Sequence, residues 1–401
     1  MTNLLIVGAG PAGLSAAIAA SEQGLRVKIV DEFPRPGGRL LGQLHEEPSG
    51  TWWNGIEEAK RLHEQALAAG VIIECGTSVY DIANTNKCWN ISTSNGKVEV
   101  PKLLLATGAA EVAVPIPGWT LPGVMSIGAA QVMTNVQRVK VGSRGVVIGV
   151  NVLSVAITRE LQLAGIQVDR MLLPVSNTLT KEAGSPRNVM DSMLRVAHLA
   201  PSPIIRFGSR LMKWSWMKEL ALQLLPTNGI QMWGIPIQLK TAALEIIGDK
   251  QVEGVRIANL TPDGESVPGT EKVISADFVC IAGGLYPLVE LAAIAGCPFA
   301  YLPELGGHVP LHSERMRTPL DGLYVAGNIT GIESAKVAIS QGTVAGLSIA
   351  DDLGCLNDKQ RLKSAIDKVL ITRQNATIQF HPQIAHGRAS IQTLFANHEI
   401  N

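Results

Sequence analysis

Leu4-Leu5-Ile6-Val7-Gly8-Ala9-Gly10-Pro11-Ala12-Gly13 is the stretch that decides the fold. Asn3 to Val7 is a short apolar run that reads as a strand, and the glycine turn Gly8 to Gly13 follows it directly. An Ala-rich pattern from Leu14 to Gln23 predicts a helix, closed by Gly24. A second apolar strand, Leu25 to Val30, ends in Asp31-Glu32. Strand, turn, helix and strand fall within about thirty residues, the size of a dinucleotide-binding unit. Gly8 permits the tight turn, Gly10 lets backbone approach a pyrophosphate, and Gly13 lets helix and strand pack closely. Pro11 and Ala12 stand at the helix start, where free N–H groups and the positive dipole end attract phosphate. Asp31, eighteen residues after Gly13, is placed to accept hydrogen bonds from ribose hydroxyls, with Glu32 beside it.

Three further segments work outward from this unit. Pro36-Gly37-Gly38-Arg39 lies just past the acidic strand end, where an extended ribityl–pyrophosphate chain would run. Leu103 to Ala106 is an apolar strand that ends in Thr107-Gly108. Gly322 to Ala326 is another, ending in Gly327-Asn328, after which Glu333 to Leu347 reads as a helix. Together these segments resemble the FAD fold of the pyridine nucleotide–disulfide reductase group, in which the last helix points its N-terminus at the flavin. The resemblance implies FAD as cofactor, held along Gly38, Arg39, Val79, Ala106, Thr107, Gly108 and Gly327. It implies a ribityl contact from Asn328, where the group usually has Asp. Ser334 and Ala335 would bring their N–H groups to the flavin pyrimidine and stabilise the anionic reduced flavin.

A second copy of the plan occupies residues 145–174, with a strand from Gly145 to Gly149, a helix from Val152 to Ala164 and a strand from Ile166 to Leu173. Its turn reads Gly149-Val150-Asn151-Val152-Leu153-Ser154, so two of the three glycines are replaced. Asn151 puts a side chain where a pyrophosphate would press on backbone. The next strand ends in Leu173-Pro174, which offers neither an acid for a ribose hydroxyl nor an arginine for a phosphate. NAD(P) binding there is not expected. The fold class is therefore α/β, with two Rossmann-like dinucleotide-binding domains, the second inserted into the first. The boundaries read as 1–115 plus 275–355 for the FAD domain and 116–274 for the insert. Within the insert, a helical stretch at about 176–231 is rich in Met and Trp (Met190, Met193, Met212, Trp214, Trp216, Met217). Residues 356–401 read as a helix from Asn357 to Ile371 and a polar tail carrying His381, His386 and His398.

Composition excludes other classes. Apolar residues make up 46% of the 401, and 34 Lys+Arg balance 34 Asp+Glu, so there is no basic excess for nucleic acid. The longest apolar stretch, Leu4 to Ala20, carries three glycines and a proline, and no transmembrane span is expected. With the first strand starting almost at once and no basic n-region, no secretory leader is expected. The five cysteines, Cys75, Cys88, Cys280, Cys297 and Cys355, have no C-x-x-C spacing. That favours a cytoplasmic chain, with any membrane contact made through partners, and argues against a zinc site or disulfide reduction. His308 and His312 are separated by Pro310 and read as a solvated loop rather than a metal site. Trp52, Trp53, Trp214, Trp216 and Trp233 read as core or interface packing, with a substrate channel as the alternative.

Finer motifs narrow the resemblance. They are Asp31-Glu32-Phe33-Pro34-Arg35-Pro36-Gly37-Gly38, Pro122-Gly123-Val124-Met125 with Gly128-Ala129-Ala130-Gln131, and Gly254-Val255-Arg256. Pro268-Gly269-Thr270-Glu271 and Gly327-Asn328-Ile329-Thr330-Gly331-Ile332-Glu333 complete the set. Over about residues 1–355 they resemble the FAD-containing subunit of multi-subunit amine and amino-acid dehydrogenases. That group includes opine dehydrogenases, hydrogen cyanide synthase, hydroxyproline and proline dehydrogenases, and part of the sarcosine oxidase large subunit. The resemblance implies a partner flavoprotein subunit similar to D-amino-acid oxidase and, in some members, a small ferredoxin-like subunit. Relatives often carry a cysteine-rich C-terminal segment for a [2Fe–2S] cluster, but no cysteine follows Cys355, so any cluster is expected in a partner. Two other readings stay open: a stand-alone NAD(P)H-dependent FAD oxidoreductase, and a non-catalytic nucleotide-binding scaffold. No residue is singled out as a catalytic base.

Overall fold

Unbroken apolar runs such as Leu4–Val7 and 103–105 can only be buried on both faces, which calls for a parallel sheet covered by helices. The computed structural model describes residues 2–47, 50–85, 88–196, 215–226, 228–376 and 379–400. It divides into two units, one of Met1–Gln43, Asn54–Ala110 and Leu285–Asn401, the other of Leu44–Trp53 and Glu111–Gly284.

In the first unit, five parallel strands lie in the order Leu323–Val325, Lys102–Leu105, Leu4–Val7, Val27–Asp31, Ile72–Cys75. An antiparallel meander, Val79–Thr85, Cys88–Thr93 and Gly96–Val100, shares a core with this sheet and buries Trp89. Helix Pro11–Ser21 packs against helix Ala335–Asp352 at very short range. A Cβ on Gly342 would strike the backbone of Ala12, and one on Gly346 the backbone of Ala16. Both pairings climb in the same direction, so the helices run parallel. Ala335 therefore lies six residues, or about 9 Å, beyond the level of Pro11.

The C-terminal segment is where the sequence reading needs correction. Helix Lys359–Gln374 is present as expected, but the polar tail is a second helix, Ile384–Ile400. Ile384, Arg388, Ile391 and Phe395 are all buried, and the three apolar ones join Leu305, Val309 and Leu311 in a small core. Their spacing of four, three and four is one helical stripe. It escaped the reading because a buried arginine stands within it.

The second unit has an eight-stranded sheet. Val124–Ser126, Phe278–Ile281, Arg144–Ile148, Gln167–Pro174 and Ile235–Ile247 are parallel neighbours in that order. Gly254–Asn259 and Lys272–Ser275 continue it antiparallel, and Ile230–Met232 folds back on Ile235–Ile247. Helices Pro186–Val196 and Ser215–Leu224 bring Met190 and Leu222 into the core, with Met193 packed at its edge. Met212 and Trp214 lie outside the described residues, and Trp216 and Met217 belong to helix Ser215–Leu224. The division differs from the boundaries read in the sequence at residues 111–115 and 275–284, and again at 44–53, all of which group with the second unit. There the Leu44 N–H donates to Glu160 Oε1 at 3.2 Å. No helix among the described residues is long and apolar enough to cross a membrane.

Candidate cofactor site

The glycine turn of the first unit is built as its residue types demand. Gly8 has φ +109°, and a Cβ there would overlap the carbonyl of Ala106. A Cβ on Gly13 would overlap the carbonyl oxygen of Gly8. Gly10 differs, since a Cβ there would meet no protein atom within 4 Å. The space above Gly10 is open, and helix Pro11–Ser21 begins there with no side-chain cap. Uncapped N–H groups at Ala12 and Gly13, facing open space at the positive end of a helix, suit a pyrophosphate. A Cβ at residue 10 would fill this space.

The neighbouring segments converge on the turn. The Gly37 N–H donates to the Ala9 carbonyl at 2.8 Å, and Gly38, with φ +53°, lies against the Gly10 backbone. Arg39 donates through Nε and Nη2 to the Ala109 carbonyl at 3.0 and 2.8 Å, tying this loop to the segment Ala106-Thr107-Gly108. Thr107 Oγ1 donates to the Leu288 carbonyl at 2.6 Å. Val79 is half-buried at the start of its strand, close to Thr77, whose N–H donates to the Asp31 carbonyl. Asp31 accepts from the Ala9 N–H at 2.6 Å and the Phe33 N–H at 2.8 Å, so its carboxylate also braces the turn. Glu32 is exposed. At the far end, Gly327 has φ +82° and donates its N–H to Gln341 Oε1 at 3.0 Å. Asn328 Oδ1 accepts from the Glu333 N–H at 3.2 Å. Ser334 is the N-cap of helix Ala335–Asp352, its hydroxyl accepting from the Val337 N–H at 3.4 Å. All these residues belong to the first unit.

The copy in the second unit keeps the first glycine for the same reason. Gly149 has φ +109°, and a Cβ would overlap the carbonyl of Ala282. Beyond that the two turns part. Asn151 caps helix Val152–Leu163: its Oδ1 accepts from the Ser154 N–H at 2.9 Å, and Ser154 Oγ accepts in return from the Asn151 N–H at 2.9 Å. The Asn151 amide nitrogen donates to the Ala282 carbonyl at 3.1 Å. The chain itself thus occupies the helix terminus that a pyrophosphate would use.

Some residues behave differently from the sequence reading. His312 is buried, not solvated: its Nδ1 lies 2.7 Å from the Pro310 carbonyl, and Arg388 is beside its Nε2 at 3.4 Å. Burial first and the Arg388 charge second push its pKa down to about 3, so the ring is neutral. His308 does lie exposed, packed on Tyr301. Trp52 is exposed, Trp53 packs on His45, and Trp233 accepts the guanidinium of Arg159 over its ring. No group of three or more metal-ligating side chains is found among the described residues.

Sequence reasoning missed two carboxylates. Glu333 takes both Arg373 (Nε to Oε1, 2.5 Å) and Arg388 Nη2. Glu160, buried in the second unit, accepts from Gln131 Nε2 at 2.8 Å, Asn135 Nδ2 at 2.7 Å and Leu44 N–H. Burial raises its pKa to about 7 despite those three donors. A folded pKa above the unfolded value means that this group's stabilising contribution is complete below about pH 4.5. It is lost as the pH rises through 7. The full shift corresponds to roughly 3 kcal/mol. Glu160→Gln should therefore stabilise the protein against urea at pH 8.5 and have little effect at pH 5, with unfolding midpoints as the measurement.

A family model described as pyridine nucleotide-disulphide oxidoreductase matches residues 2–342. The chain belongs to that family. Its members are oxidoreductases, and membership implies FAD as the cofactor. The A-type opine oxidase subunit of Agrobacterium tumefaciens (strain Ach5) is 30% identical over 88% of this chain and 66% of its own length. Hydrogen cyanide synthase subunit HcnB of Pseudomonas protegens is 23% identical over 90% of the chain and 73% of its own. The chain thus spans about two thirds of the opine oxidase relative. Among solved structures, L-proline dehydrogenase from P. horikoshii superposes with a TM-score of 0.65 at 18% identity, covering 92% of this chain and 58% of that one. T. acidophilum thioredoxin reductase gives 0.61 at 22%, covering 88% and 98%. These likenesses agree with the two-dinucleotide-domain fold.

Proposed function

We propose that this chain is the FAD-binding oxidoreductase subunit of a heteromeric amino- or imino-acid dehydrogenase, of opine, proline/hydroxyproline or glycine type. A partner flavoprotein subunit similar to D-amino-acid oxidase would oxidise the amine, and a small ferredoxin-like subunit would hold any iron–sulfur cluster. The observation that carries this reading is the contrast between two homologous helix starts. The one at Pro11 is bare and faces open space, while the one at Val152 is closed by Asn151. The names of the opine oxidase and hydrogen cyanide synthase subunits support a multi-subunit setting.

FAD bound at the open site would supply two-electron acceptance. Gly8, Gly10, Pro11, Ala12 and Gly13 would hold its pyrophosphate, and Asp31 and Val79 would flank the adenosine side. Gly38, Arg39, Ala106, Thr107, Gly108 and Gly327 would line its length, and Asn328 would orient the ribityl hydroxyls through its amide. The stagger of about 9 Å between Pro11 and Ala335 is comparable to the reach of a ribityl linker, so one ligand could touch both helix termini. Ser334 and Ala335 would then face the pyrimidine edge with the positive end of an eighteen-residue helix, favouring the charge that reduction brings.

The test is the flavin spectrum of the native complex. NADH and NADPH should leave the absorbance near 450 nm unbleached over seconds, whereas the amine substrate should bleach it. Rapid bleaching by either nicotinamide would overturn this reading in favour of a stand-alone reductase.

A further inference from the structure

We infer that the C-terminal arm, Lys359 to Ile400, is part of the flavin site: Arg373 and Arg388 converge on the single carboxylate of Glu333 and leave one uncompensated positive charge at the start of helix Ala335–Asp352. The inference rests on the proposed flavin site and adds to it a role for residues beyond the family match, which ends at residue 342.

The geometry is specific. Arg373, on helix Lys359–Gln374, holds Glu333 through two nitrogens, Nε at 2.5 Å and Nη2 at 3.1 Å. Arg388, on helix Ile384–Ile400, gives Nη2 to Glu333 and Nη1 to the Thr330 carbonyl at 2.8 Å. Arg388 Nε is buried with no hydrogen-bond partner. The third neighbour, His312, is neutral, so it neither adds to nor cancels the charge. Among the described residues, Glu333 is the only acid in an ion pair with Arg373 or Arg388. The balance around Glu333 is then two guanidinium charges against one carboxylate. Glu333 immediately precedes the N-cap Ser334, and a small pocket beside it is lined by Ser334, Val337, Arg373 and Phe380.

A buried pair needs only one arginine per carboxylate. Burying a second is costly unless its charge acts on something else. An electron acceptor at the helix start would be that something: its negative charge on reduction would be met by the helix dipole and by the surplus guanidinium. Arg373 and Arg388 act as positioning and electrostatic residues here, not as catalytic ones.

A charge ladder at Arg373 tests this without amine turnover. Sulfite adds reversibly to oxidised flavin and leaves a negative charge on the ring, so its dissociation constant reports local positive potential. Arg373→Lys should keep the wild-type sulfite affinity. Arg373→Gln should weaken it on the order of tenfold, and the two-electron midpoint should fall by about 30 mV, the equivalent of that factor. Arg388→Lys, which keeps the charge but changes the contacts, should track Arg373→Lys. Equal sulfite affinity in Arg373→Gln and wild type, with flavin retained by both, would overturn the inference and leave the flavin site standing. A wild-type chain that takes up no flavin would overturn both.

Discussion

Gly13→Ala is expected to abolish retention of flavin through purification, and Gly10→Ala to weaken it without unfolding anything. The two glycines separate fold from ligand. At Gly13 the new methyl would overlap the Gly8 carbonyl oxygen and crowd Ile6, both part of the central strand and turn. Backbone cannot step aside cheaply there, so helix Pro11–Ser21 must move away from the turn and the N–H cradle opens. The destabilisation belongs with overpacked cores, roughly 1–3 kcal/mol or more. At Gly10, which has φ −76°, a methyl meets no protein atom within 4 Å. The thermal midpoint should hardly change, while FAD affinity falls at least tenfold because the methyl occupies the space a pyrophosphate would fill. Flavin content by absorbance, set beside unfolding by circular dichroism, makes the comparison. Full flavin occupancy in both variants would show that this turn is no nucleotide cradle.

Glu333→Ala is expected to cost about 3–5 kcal/mol of stability, the range for removing one partner from a buried ion pair. The variant would leave Arg373 and Arg388 facing each other, with the Thr330 carbonyl and hydroxyl and the neutral His312 ring as polar company for the second. Burial alone would raise the Glu333 carboxyl, but the charges and hydrogen bonds of Arg388 and Arg373 outweigh it and hold it below the usual carboxylate range. The sign follows from that depression. The contribution is complete above the unfolded carboxylate range and is lost as pH falls through the lower folded value. Wild type should therefore lose stability relative to Glu333→Ala on acidification. The gap between them should be widest near neutral pH and narrow towards pH 3, read from urea midpoints at each pH. A constant gap would mean that the carboxylate charge is not what holds the arm.

The residues of the first glycine turn needed no tertiary information to be recognised. Gly8, Gly10 and Gly13 sit between an apolar strand and a helix, and local sterics leave such a pattern few uses other than a close turn. The same local logic exposed Asn151 and Ser154, because a side chain in place of a glycine is visible in the sequence itself. The Asn151 capping geometry is likewise a short-range matter, spanning three residues.

The C-terminal arm was not legible, and the reason is physical. Arg373 and Arg388 lie 40 and 55 positions from Glu333 along the chain, and nothing local to any of the three signals the other two. An arginine inside an apolar stripe reads as a solvated face until its partner is known. Asp31 illustrates the same limit on a smaller scale, since its carboxylate is shared with the Ala9 N–H, twenty-two residues earlier. Sequence alone determined where the backbone turns closely between strand and helix, because that depends on glycine and on hydrogen-bonding patterns within a few residues. Only the tertiary structure decided which charges are buried together, because desolvation and pairing are set by what the fold brings into contact.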